Sequence, residues 1–161
     1  MSIAYISTIA ATVFACVVSS RGGVTRLEPS DRVALEQAKN VEMVYATGAI
    51  PGAVKDACAT VISDHRFRLA DPGKPFNVTD VGWDDRIPSR RLLWAAHLPD
   101  YFLVHYESGG IAHGFHVILV RVTGSSARVI WRAAASEYKD YSAFVRALKQ
   151  NKPDDTFDNM F

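Results

Sequence analysis

The feature that most constrains this chain lies between residues 91 and 133, where four β-branched and aromatic segments follow one another with very little between them. Residues 92–97, 101–107, 115–122 and 127–133 each read as a strand. The links are Leu98-Pro99-Asp100, a Gly109-Gly110 turn signal and Gly124-Ser125-Ser126. A parallel pairing needs a crossover of a dozen residues or more, so links this short force consecutive strands to run antiparallel. The expected product is a meander.

Helical spacing surrounds that run. Residues 30–40 follow Pro29, carry an N-cap signal at Ser30 and Asp31, and are rich in good helix formers. Pro51 opens a second segment in which Ala53, Val54, Ala57, Cys58, Val61 and Ile62 recur on one face, ending near Ser63 and Asp64. A third occupies residues 136–149, with Tyr141, Phe144, Val145 and Leu148 at i, i+3, i+4 and i+7. Residues 41–46 suit either element and lean to strand, because Val41, Met43 and Tyr45 alternate. The predicted class is α+β: a four- to five-stranded antiparallel meander sheet packed by two or three helices and preceded by an N-terminal apolar segment.

Size and charge fit that picture. With 161 residues, 48% hydrophobic content and a net charge of +1, the chain has material for one core, and residues 21–161 form a single α+β domain. Wholesale disorder is excluded. The balanced charge, with no basic stripe, also argues against nucleic acid as a partner.

Residues 1–20 contain no charge, and the first charged residue is Arg21. Val13-Phe14-Ala15-Cys16 resembles the lipobox of bacterial lipoproteins, although Phe14 stands where a small or aliphatic residue is usual and no basic stretch precedes the apolar run. The resemblance implies export, lipid attachment at Cys16, and a tether through Ser19, Ser20, Gly22 and Gly23. An uncleaved membrane helix and an integral element of the fold are the competing readings of the same stretch. Cys58 is then the only other cysteine, and on an apolar stripe it reads as a small buried hydrophobe.

The residues suited to carry chemistry cluster in the sheet. His97, His105, His113 and His116 lie there with Glu107, and their convergence depends on hairpin register. A four-residue loop sets His105 opposite His116 and gathers both with Glu107 on one face, as a zinc site with an open position or an acid and base pair. A two-residue turn leaves them spread, and a slip of one residue puts His105 and Glu107 on the face of His113. Zinc is the one cofactor this trio would accommodate, and no separate motif calls for it. Asp80, Asp84 and Asp85 form a solvated acidic loop around Trp83, an aromatic suited to anchoring a partner. Arg86, Arg90 and Arg91 either grip an anion or balance those acids.

Phe102, Val104 and Tyr106 alternate with Tyr101 and Leu103, so both faces of the central hairpin are apolar. With the helices after Pro51 and Ser136 on one face, the other must be covered by a loop, the N-terminal segment or a partner. The leading expectation is a membrane-anchored protein on the periplasmic side of the bacterial envelope, acting as a non-catalytic binding module of the envelope-component, inhibitor or immunity type. Its expected contacts are a protein partner through Trp83, Arg86 and Arg90, and the membrane through Cys16. The alternative is a hydrolase using His105, Glu107 and His116.

Overall fold

The structure is a computed structural model and describes residues 26–62, 66–82 and 84–154. Residues 1–20 with Cys16, and also Trp83, lie outside the described residues. The described chain runs α1 (Pro29–Gln37), β1 (Glu42–Val44), a 3-10 turn (Thr47–Ala49), α2 (Gly52–Ala59), β2 (Arg90–Leu98), β3 (Tyr101–Ser108), β4 (Gly114–Thr123), β5 (Ser126–Ala135) and α3 (Tyr141–Lys149). The strands form one five-stranded antiparallel sheet in sequence order, the meander that the short links demand. No helix among the described residues is long and apolar enough to cross a membrane.

The helices divide between the two faces of the sheet. On one face, α2 sets Val54, Ala57 and Cys58 against Leu92, Val104, Ile118 and Val120. On the other, Leu35 of α1 and Tyr141, Phe144, Ala147 and Leu148 of α3 pack on Trp94, Leu103, Leu119 and Trp131. The two helices expected to share a face are therefore opposite one another across the sheet. With α1 beside α3, both apolar faces of the central hairpin are covered by the chain itself, so a bare sheet face supplies no reason for a partner.

Local chemistry fixes each helix. The Asp140 carboxylate accepts the Ala143 N–H at 2.8 Å and caps α3, whose last turn carries Arg146 and Lys149 at the negative end of the helix dipole. Pro51 precedes α2 and its carbonyl accepts from Val54 and Lys55. Pro29 begins α1, one residue ahead of the Ser30 expected as its cap, because proline has no N–H to satisfy in a first turn. Asp31 of α1 is buried, accepts the Tyr101 hydroxyl at 2.8 Å and pairs with Arg121, which ties the helix to the sheet. The Tyr141 hydroxyl donates to the Leu35 carbonyl at 2.8 Å and joins α3 to α1.

Two irregularities reset the alternation of side chains: the β2–β3 register shifts between Leu92 and Trp94, and the β4–β5 register shifts between Leu119 and Val120. At the far edge of the sheet, Asp154 exchanges both backbone hydrogen bonds with Ala134 of β5, at 2.8 and 2.9 Å.

Candidate functional site

The β3–β4 hairpin decides which histidines meet. Ser108 pairs with Gly114, Glu107 with Phe115, Tyr106 with His116 and His105 with Val117. The connection is thus residues 109–113, the one-residue slip that places His105 and Glu107 on the face of His113. His116 faces the other way, toward α2. The trio of His105, Glu107 and His116 does not converge, and the described residues contain no group of three His, Cys, Asp or Glu side chains able to hold a metal ion.

His105 is 0% exposed, on the α1/α3 face between the rings of Trp94 and Tyr138, whose centroids lie 5.0 and 5.4 Å away. Its Nε2 accepts the Tyr138 backbone N–H at 3.1 Å, which places the ring proton on Nδ1, where it donates to the His116 carbonyl at 2.9 Å. Both nitrogens are engaged by backbone in the neutral tautomer. Burial pushes the imidazole down to about 4, since a charged ring there would lose its water and its Tyr138 hydrogen bond. The side chain is a crosspiece between β3, β4 and the approach to α3.

Glu107 is buried on the same face, nearer the loop end. Its carboxylate accepts from Arg91 Nε at 2.7 Å and bonds His113 Nε2 at 2.8 Å, while the Arg91 guanidinium lies 4.6 Å from the Phe76 ring centre. One buried acid thereby joins β2, β3 and the hairpin loop. Sequence reasoning left Arg91 and His113 at the margin of the site because their pairing with Glu107 follows from the register.

On the α2 face, His116 stacks on Tyr106 with centroids 5.1 Å apart, and its Nε2 lies 2.8 Å from Ser108 Oγ. It too is pushed down to about 4, chiefly by burial and then by the nearby positive charges, Arg90 foremost and Arg132 among them. This pair opens on a cavity of about 200 Å³ between the sheet and Ile62, with Arg90 and Arg132 among its walls. Ser108 and Arg132 were not singled out in the sequence, for their meeting depends on four-strand register. Arg86 instead forks onto Asp84, at 2.8 to 3.1 Å, and holds that half-buried carboxyl below its usual range.

The remaining distinctive region is the loop end itself. Asn77 is buried, donates to the carbonyls of Asp84 and Ile87, and accepts the Asp84 N–H at 3.0 Å, so one amide shapes the whole acidic loop. That loop is stitched to the hairpin: Gly110 N–H donates to the Val78 carbonyl at 3.1 Å and Gly109 N–H to the Ser89 carbonyl at 2.9 Å. A Cβ on Gly109 would stand 1.9 Å from the Asn77 carbonyl oxygen, so only glycine permits the approach. On these joined loops Ile111 is 94% exposed and Val81 84% exposed, with Val78 also exposed.

Fold and site together define an architectural class, an α+β meander helix-covered on both faces with polar clusters at one end. In comparisons with known proteins, no family model, no curated protein and no solved structure matches the chain.

Proposed function

We propose that this chain is an exported protein of the bacterial cell envelope, held on the periplasmic side of the membrane by lipid at Cys16, and that it works as a non-catalytic binding module. Its protein partner is met at the loop end of the sheet. The observation that carries the reading is the pair of large apolar side chains, Val81 and Ile111, held in solvent on two loops joined by the Thr79–Gly110 bridge. Single exposed apolar residues are common, but placing two on adjoining, mutually hydrogen-bonded loops presents apolar surface whose ordering cost is already met on folding. Trp83 and Arg86 belong to the same loop in sequence, and Arg90 begins the strand that follows it. Support for the anchor comes from the uncharged stretch before Cys16 and the small-residue tether after it.

The test has two arms. Cys16→Ser should release the tagged full-length chain from the membrane fraction and abolish labelling by a fatty-acid probe; membrane retention with unchanged labelling would refute the anchor. For the partner, crosslinking in intact cells should recover the same protein with the wild type and lose it with Val81→Glu/Ile111→Glu, while circular dichroism shows an unchanged fold. Equal recovery with both chains would remove the loop end as the docking surface.

A further inference from the structure

We propose that the cavity on the α2 face binds a small organic carboxylate, a ligand separate from the partner assigned to the loop end. Four consecutive strands supply its walls. Arg90 of β2 stands opposite Ser108 of β3, Tyr106 opposite His116 of β4, and Ile118 opposite Arg132 of β5, which brings all six side chains to one face. α2 runs out before it reaches this end of the sheet, and Ile62 forms the cavity's border on the helix side.

The chemistry of the walls selects the ligand. Two guanidinium groups flank the site, and no Asp or Glu lines it among the described residues. Arg132 already donates to the Val61 carbonyl, and both arginines make further contacts within the fold. A guanidinium has five N–H donors in a planar fork, so it can hold an intramolecular partner and a ligand oxygen together. Ser108 Oγ, 2.8 Å from His116 Nε2, adds a hydroxyl to the polar wall. Burial, helped by the nearby arginines, keeps His116 neutral, and its charged neighbours Arg90 and Arg132 would welcome a negative group. The floor is different. Tyr106, Ile62 and Ile118 are apolar in their bodies, and a volume of about 200 Å³ is below the roughly 300 Å³ at which drug-sized pockets begin. A charged head with a short apolar tail satisfies both halves of the site, whereas inorganic phosphate satisfies one.

The experiment uses the full chain with acetate, butanoate, hexanoate and inorganic phosphate, read by the His116 imidazole NMR signals and by thermal shift. Saturable binding is expected, tightening roughly three- to fourfold per added methylene along the acid series. It should weaken at least about tenfold in Arg90→Gln, the loss of one charge-assisted hydrogen bond, and by a smaller factor in Ser108→Ala. Bound carboxylate should also raise the pH at which His116 titrates. Arg132→Gln is avoided as the deciding variant because it also unties the segment after α2 from β5, and near-UV circular dichroism establishes that the other two fold. The proposal is overturned by absence of saturable binding at millimolar acid, by phosphate binding as tightly as hexanoate, or by an Arg90→Gln protein that binds like the wild type.

Discussion

The two faces of the sheet are covered in different ways. The α1/α3 face is closed by an aromatic group in which Phe144 meets the rings of Trp94, Trp131, Tyr138 and Tyr141 within 6.4 Å. Within it Trp94 Nε1–H donates to the Tyr138 carbonyl at 2.7 Å, whereas the buried Tyr138 hydroxyl has no hydrogen-bond partner among the described residues. The α2 face has mainly aliphatic packing, with Phe67, Phe102 and Tyr106, under one eight-residue helix, and among the described residues it leaves a cavity beyond that helix. Among the described residues, each face buries one histidine. Where cover is complete the imidazole is locked by backbone on both nitrogens; where cover stops short, it borders a cavity. Helix length on a face decides whether a buried polar group is a structural tie or part of a pocket.

Acid should produce the largest effect and touch both faces. An unfolded imidazole binds its proton near pH 6.5, whereas folded His105 and His116 hold out to about 4. Between those values the unfolded state binds more protons, so stability is full above pH 6.5 and falls as the pH drops toward 4. Each histidine accounts for on the order of 3 kcal/mol of that loss. Urea titrations across the range measure it, and NMR signals of both rings titrating near pH 6.5 would contradict it.

Phe144→Ala should cost about 4 kcal/mol, because the emptied space is ringed by stiff aromatic side chains that cannot collapse into it. Val54→Ala, on the other face, should cost roughly half as much. Equal losses in urea denaturation would erase the contrast between the faces. Gly109→Ala comes next, at about 2 kcal/mol, since the new methyl meets the Asn77 carbonyl; hydrogen exchange should show the loop end opening while the sheet stays protected. Smallest is Asp140→Ala, about 1 kcal/mol for the lost α3 cap, visible as a lowered thermal midpoint.

Much of the architecture was legible in the sequence because it is written locally. The four strands expected at 92–97, 101–107, 115–122 and 127–133 extend by one or two residues at most of their ends, and the alternation in residues 41–46 resolves as β1. Face assignment was not legible. The shift between Leu92 and Trp94 turns Leu92 toward α2 and Trp94 toward α3, and the one between Leu119 and Val120 does the same for its own strand pair. Simple alternation carries no trace of either. The site suffered from the same cause: the parity of the 109–113 connection separates His116 from His105, and Gly109 in that connection meets a loop some thirty residues earlier. The burial of His105 was not legible either, because its backbone partner at Tyr138 belongs to a segment with no periodic link to it.

The paired hydrogen bonds between Ala134 and Asp154 bear on how these molecules behave when crowded. A sheet's last strand is a template on which a neighbouring chain can crystallise a strand of its own. Here one end of that template is already taken by the chain's own later residues, so any fibre growing along the β5 border must first displace an intramolecular rival that is always at hand.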